Sequence, residues 1–434
     1  MEGAAITHSL LATLGTPDQR LTFILDTMRE MSELTDPQVM VRTYSARMRQ
    51  LIPSDRSLSL SRRDLRTPYF RVTRSSTWDG EVNPWRQGDR LPVLEGGLLA
   101  GCIYGDEPVV IDDLEFSPDD PAAQYFEGMR SLVAIPLFDS GRAINMVVVM
   151  RKEPLGFRRD MLAEHVWMAN LFGRATKTLV LAQEVKRAYD VVDRELKAVA
   201  DIQRSLLPAA LPKIPGLDIA VHYQTSRHSG GDYYDFFQLP DGQWGILMAD
   251  VSGHGTPAAV LMAITHSIAH VACDPPVPPA RLLAAINERL CRQYTKSSGN
   301  FVTAFYGVYD PKDRTLLWSN AGHPPPRLAR HGGTAVALPP AASLPLGIEP
   351  DEPYGQFVHQ LAPGDALLLY TDGITEAREP AGEMFGVERL DAVLTCTPRS
   401  SERLMRATLI ALEAFTDGRA PADDQTLLVM QVRE

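Results

Sequence analysis

Residues 244–255 read Trp-Gly-Ile-Leu-Met-Ala-Asp-Val-Ser-Gly-His-Gly. An apolar run from Trp244 to Ala249 stops on the carboxylate of Asp250, and glycines follow at 253 and 255. A short apolar run bounded by turn residues reads as a buried strand, which puts Asp250 at its carboxyl end. Residues 366–373 repeat the arrangement: Ala366–Tyr370 is a strand, and Asp372 follows in Thr-Asp-Gly. Two further acidic positions flank strand starts: Asp232 in Gly-Gly-Asp-Tyr-Tyr-Asp-Phe (230–236), and the pair Asp423-Asp424 just before Thr426–Val432. Adjacent glycines let the backbone approach a central object closely. Carboxylates on rigid strand ends are hard-metal donors, and oxygen-only ligation suits Mg²⁺ or Mn²⁺. A single Asp-Gly is more simply a turn, and Asp241-Gly242 and Asp417-Gly418 are read that way. Convergence of the others on one site would be strongly repulsive unless cations were present. No His or Cys cluster is expected to be available for zinc.

Outward from these residues, strand-like runs occupy Asp218–Tyr223, Tyr233–Leu239, Phe301–Tyr309 and Thr315–Ala321. Helical runs lie between, at Pro257–Cys273, Ala280–Tyr294, Val387–Leu394 and Arg399–Phe415. Strands in meander order with helices inserted in blocks predict an α+β layered domain, not alternating βαβ units.

The segment before it is different. Leu181, Val185, Ala188, Val192, Val199, Ile202 and Leu206 recur at alternating three and four steps, with Glu195 the one miss at the seam. That is coiled-coil spacing. Five acidic and five basic residues between Glu184 and Arg204 make the outer faces mixed and solvated. Parallel pairing would make a homodimer; a single helix packed on its own domain is the alternative. Pro208, Pro212 and Pro215-Gly216 end the helix.

Further upstream, Leu21–Leu51 reads as two helices broken at Thr35-Asp36-Pro37, with Asp36 capping the second and Pro37 opening it. Short strands follow at Ser57–Ser61, Tyr69–Thr73 and Pro108–Ile111. Ser131–Leu137 and Ala143–Met150 face each other across Asp139-Ser140-Gly141, a hairpin signal. A long helix begins near Arg159. Residues 1–19 read as a leader.

Composition bounds the rest. The chain has 434 residues, with 44% apolar and 22% charged side chains, which excludes disorder, collagen and a small disulfide scaffold. A formal charge of −11 argues against sequence-independent nucleic-acid binding, which needs basic surface. No apolar run approaches the ~20 residues of a bilayer span, and the start MEGAAITHSL shows no secretory signal. Cys102, Cys273, Cys291 and Cys396 are scattered without metal-ligand spacing, so a reduced cytoplasmic protein is expected.

Seven segments in order, IQRSLLPAALP, GGDYYDF, ADVSGHGTPAAVLMA, NAGHPPP, LPLGI, YTDGITEAR and ADDQTLLVM, resemble the bacterial SpoIIE/RsbU branch of the metal-dependent (PPM, type 2C) Ser/Thr protein phosphatases. The resemblance covers about 198–434 and implies an αββα sandwich with two divalent cations, Mn²⁺ or Mg²⁺, at one edge. Carried over by position, it implies metal ligands at Asp232, Asp250, Asp372, Asp423 and Asp424 and at the Val251 carbonyl, with Asp250 bridging. Asp232 and Asp250 are then also catalytic. His254 is either a proton donor to the leaving group or a loop histidine bonded to backbone; His323 is read as structural. Arg227 is the candidate for the substrate phosphate.

The segments SLVAIPLFDSGRAINMVVVM and FRRDMLAEHVWMANLFG, with the helices and strands before them, resemble a GAF sensory domain over roughly 20–178. The resulting layout is a leader (1–19), a GAF-like α/β sensor (20–178), a coiled-coil linker (179–207) and a PPM domain (208–434). It implies a sensor-regulated phosphatase acting on a phosphorylated STAS-type protein, an anti-sigma-factor antagonist. An unidentified small-molecule or protein signal would act at the GAF domain. A pseudophosphatase that binds without hydrolysis and a hydrolase of small phosphate esters are the alternatives.

Overall fold

Asp36 and Pro37 do what the sequence expects of them. The Asp36 carboxylate accepts hydrogen bonds from the Gln38 and Val39 amides at 2.8 and 3.0 Å and caps helix α2 (Pro37–Leu51). Helix α1 (Pro17–Glu33) precedes it. The computed structural model describes residues 17–433 apart from 53, 81, 275, 297–298, 331–332, 340–342 and 398–399. The expected leader therefore lies outside the described residues up to position 16, and its last residues belong to α1 instead. The chain divides into two compact units, 1–189 and 190–434.

In the first unit, β1 (Arg56–Ser61), β2 (Tyr69–Ser75), β3 (Val93–Glu95), β4 (Val109–Ile111), β5 (Ser131–Asp139) and β6 (Arg142–Arg151) form one antiparallel sheet in the order β3-β2-β1-β6-β5-β4. Ser140 and Gly141, both at positive φ, make the β5–β6 turn. Strand alternation sorts the faces. Leu58, Leu60, Met146 and Val148 pack with Leu99 and Ile103 of α3 (Gly97–Tyr104) and Phe126 of α4 (Ala123–Phe126). Val133, Ile135 and Val149 pack on the other side with Phe157 and Ala169.

The exit helix and the heptad segment are one helix, α5 (Leu162–Ser205), of 44 residues. At 1.5 Å per residue it is about 66 Å long. Its seam residues Leu181, Val185, Val192 and Ile202 are 48%, 70%, 53% and 67% exposed.

In the second unit two five-stranded antiparallel sheets face each other. One has the order β14-β11-β10-β9-β8, from β8 (Tyr233–Gln238), β9 (Trp244–Val251), β10 (Val302–Asp310), β11 (Thr315–Ala321) and β14 (Phe357–Gln360). The other has the order β13-β12-β15-β16-β7, from β7 (Leu217–Gln224), β12 (Arg327–Ala329), β13 (Ala335–Ala337), β15 (Ala366–Tyr370) and β16 (Gln425–Val432). Parity again assigns the faces. Leu367, Leu369, Leu428 and Met430 join the core between the sheets. Leu368, Tyr370, Leu427 and Val429 point the opposite way, onto Leu390 of α9 (Gly386–Cys396) and Leu404 and Leu412 of α10 (Ser401–Thr416). Helices α6 (Thr256–Ala272) and α7 (Pro279–Leu290) cover the first sheet, so the layers run αββα. Each fully buried leucine stabilises this sandwich by roughly 1.5–3 kcal/mol.

Candidate active site

Antiparallel pairing explains why distant aspartates meet. Tyr233 pairs with Ala249, so Asp232, just before β8, lies beside Asp250 near the end of β9. Tyr370 pairs with Leu427, so Asp372, after β15, lies at the same end as Asp423 and Asp424, before β16. Strand β9 continues through Val251, so Asp250 is held inside the ladder opposite Thr303 instead of just beyond it. Asp372 opens a short helix, α8 (Asp372–Thr375).

Asp232 is the most enclosed member, at 1% exposure. Its Oδ2 accepts hydrogen bonds from the hydroxyls of Thr371 at 2.9 Å and Thr426 at 2.6 Å. The Thr426 amide in turn donates to Thr371 Oγ1 at 3.0 Å. These bonds tie the two sheets together at the site. The β8–β9 pairing sets the Asp232 and Asp250 carboxyls close enough to act on each other electrostatically. Burial pushes both above the usual carboxylate range; Asp250 is raised further by the charges of Asp232, Asp372 and Asp423. Burial, then Asp423 and Glu376, raise Asp372 as well. Like charges crowded in a poorly solvated pocket favour protons or cations.

Asp424 has a different environment. It is buried; its Oδ1 accepts from the Ser226 amide at 2.8 Å and the Ser226 hydroxyl at 3.2 Å, and its Oδ2 accepts from the Gly231 amide at 2.7 Å. Its neighbour Asp423 is exposed and accepts the Asp424 amide at 2.8 Å. Gly231 and Gly373 are needed for these approaches. A Cβ on Gly231 would sit 2.7 Å from the Val251 carbonyl oxygen and 3.3 Å from Asp250 Oδ1, and one on Gly373 would strike the Asp424 carbonyl. Gln425 Nε2 donates to the Gly373 carbonyl at 3.1 Å.

The remaining candidates divide. His254 and Arg227 are exposed on loops, His254 between Gly253 and Gly255, both at positive φ. His323 is buried, with Nδ1 2.9 Å from Thr303 Oγ1 and its amide donating to Asn320 Oδ1 at 2.7 Å. Burial pulls its pKa down to about 3, so it stays neutral.

Sequence reasoning missed Thr371, Thr426, Ser226 and Gln203. The two threonines sit inside segments already singled out, Thr-Asp-Gly and Asp-Asp-Gln-Thr, where a β-branched polar residue beside an acid was the available signal. Gln203, on the last turn of α5, is buried and bonded to the Gly230 backbone in both directions.

The oxygen-only donors, the close glycine approaches and the carboxyls raised by crowding fit divalent cations. The expectation that no histidine cluster exists needs correction. Among the described residues, Asp235, His266 and His270 bring one donor atom each within 4.8 Å of one another. The histidines are four apart on α6, and Asp235 is on a strand. Only the tertiary fold brings them together.

The second unit is thus an αββα sandwich with carboxylates gathered at one end of its strands. The solved SiaA-PP2C domain of Pseudomonas aeruginosa shares this fold, with a TM-score of 0.50 and 21% identity, covering 56% of this chain and 98% of that one. Residues 240–433 match the family described as Stage II sporulation protein E (SpoIIE). Protein IcfG of Synechocystis sp. is 29% identical over 58% of this chain and 43% of its own length. Phosphoserine phosphatase RsbU of Bacillus subtilis is 28% identical over 57% of this chain and 73% of its own length. The chain thus spans less than half of IcfG and about three quarters of RsbU.

Proposed function

We propose that the chain is a sensor-regulated phosphoserine/phosphothreonine protein phosphatase. The observation that carries this reading is the strand pairing that sets Asp232 beside Asp250, with Asp372 and Asp423 charging the same pocket. Two divalent cations, Mn²⁺ or Mg²⁺, would supply neutralisation of phosphoryl oxygens and activation of water for in-line attack. Asp232, Asp250, Asp372, Asp423 and the Val251 carbonyl would hold them. Thr371 and Thr426 keep Asp232 oriented, and Asp424 orders the loop that carries it. His254, exposed on the loop that follows Asp250, would give the leaving serine oxygen its proton, and Arg227 would draw in the substrate phosphate.

The substrate proposed is a phosphorylated STAS-type protein, supported by likeness to a phosphoserine phosphatase of the RsbU kind. The first unit is read as a GAF-like sensor over 20–178, on its antiparallel sheet flanked by helices. The exposed seam on α5 supports pairing with a second copy as a coiled coil. Described helices include none long and apolar enough to cross a membrane.

The test is hydrolysis of a phosphoserine STAS protein by the full chain with Mn²⁺, Mg²⁺ or EDTA, beside Asp250→Asn. Metal-dependent turnover that disappears in the variant supports the proposal. Metal-dependent turnover of small esters alone would replace the protein substrate, and no turnover with any metal would favour a binding role.

A further inference from the structure

We propose that Asp235, His266 and His270 form a second divalent-cation site, separate from the aspartate centre and selective for a nitrogen-preferring first-row ion such as Zn²⁺. His266 and His270 are four apart on α6 and share one face of it. Their ring centroids are 4.3 Å apart. The face of β8 turned toward them carries Tyr233, Asp235 and Phe237. The Tyr233 ring meets His266 at 5.5 Å, and the Phe237 ring meets His270 at 5.0 Å. Strand alternation sends Asp232 to the opposite face, toward the aspartate centre. The two groups of ligands are therefore divided by the strand itself.

Three features of the trio point to an ion. First, Asp235 Oδ2 lies 2.8 Å from His270 Nε2, a carboxylate–imidazole contact in which a metal can replace the shared proton. Second, His266 Nδ1 is buried and has no hydrogen-bond partner among the described residues. The Asp235–His270 pair leaves this nitrogen unserved, and a buried polar atom without a partner is destabilising. An ion between the three residues gives it a partner. Third, Asp235 is already oriented from behind: its Oδ2 accepts from the Tyr233 hydroxyl at 2.6 Å, and its Oδ1 accepts from the Phe236 amide at 2.8 Å. Such outer partners are what metal-ligating carboxylates carry.

The spacing is workable. The three donor atoms lie within 4.8 Å of one another. Zinc bonds of about 2.0–2.1 Å place tetrahedral ligands roughly 3.3 Å apart, so small side-chain rotations close the site. The His270 side chain is 48% exposed, which leaves a fourth position open to water. Two imidazoles and one carboxylate suit Zn²⁺ better than Mg²⁺, which demands oxygen. The ion would clamp α6 to β8, the elements that follow Asp250 and Asp232.

Visible absorption of Co²⁺ reads this directly, because tetrahedral nitrogen-ligated Co²⁺ absorbs far more strongly than octahedral oxygen-ligated Co²⁺. The full chain is first saturated with Mn²⁺ to fill the aspartate centre, then titrated with Co²⁺. The expected result is an intense band at one equivalent that Zn²⁺ abolishes. The band is retained in Asp250→Asn and lost in His270→Ala and His266→Ala. Zn²⁺ also raises the melting temperature of the wild type but not of His270→Ala, whose half-exposed side chain can be removed without unfolding. The proposal is overturned if the wild type gives no intense band, if the band survives in His270→Ala, or if Asp250→Asn removes it.

Discussion

Gln203 and Gly230 are bonded in both directions: the Gln203 side-chain amide donates to the Gly230 carbonyl at 2.5 Å, and the Gly230 amide donates to Gln203 Oε1 at 3.1 Å. The last turn of α5 is thereby fixed to the loop that delivers Asp232. The same helix makes a second contact, Asp193 Oδ1 to His228 Nε2 at 3.0 Å. Replacing Gln203 by Ala orphans both Gly230 backbone groups, and each unserved buried group costs about 1–3 kcal/mol. Gln203→Ala is expected to lower turnover at least about tenfold, the equivalent of 1.4 kcal/mol, and to lower the melting temperature of the second unit. Unchanged kinetics would show that the helix end does not position the loop.

The Thr371 and Thr426 hydroxyls both donate to Asp232 Oδ2 and so favour its ionised form. Removing either raises the cost of charging a carboxyl that burial already disfavours. Thr371→Val should therefore weaken Mn²⁺ half-saturation by about 10- to 100-fold, the usual cost of losing an outer partner of a metal ligand. Thr371→Ser should restore it. A Thr371→Val protein with wild-type metal affinity would separate these hydroxyls from the site.

The glycine approaches give a steric test. Gly231→Ala puts a methyl 2.7 Å from the Val251 carbonyl oxygen, closer than carbon and oxygen tolerate. Backbone must move, at about 1–3 kcal/mol, and the Asp232 loop moves with it. The expected outcome is a folded protein, by circular dichroism, with activity reduced more than about a hundredfold. An active Gly231→Ala would show that the loop has slack.

Much of this was legible beforehand because the second unit is built from long buried strands. Trp244–Val251 and Ala366–Tyr370 announce themselves as apolar runs, with Asp250 the penultimate residue of the first and Asp372 two residues past the second. The three-residue strands β12 and β13 are too short to show a period, and α3 was masked by its two glycines. The heptad segment is continuous with the exit helix, as the lack of a breaker between them allows, and only the change of hydrophobic spacing near Leu179 suggested a boundary. The Asp235–His266–His270 trio escaped for a different reason. Its two histidines are spaced as ligands on a helix, but the third donor comes from a neighbouring strand, and only packing of α6 on the sheet brings it within reach.

His323 offers a pH test independent of metals. Its folded pKa is about 3, while an unfolded histidine titrates near 6.5. Between those values the unfolded chain binds a proton that the folded one refuses, so stability falls as pH drops through the window. The slope from this one residue is at most about 1.4 kcal/mol per pH unit. Below about pH 3 the folded protein accepts the proton too and the effect saturates. Denaturant unfolding of the wild type and of His323→Asn between pH 7 and pH 4 isolates it. The variant is expected to be less stable at pH 7, having lost the Thr303 contact, but with a shallower decline on acidification. Parallel curves would mean that His323 takes up its proton within the fold, and that the burial around Thr303 and Asn320 admits solvent.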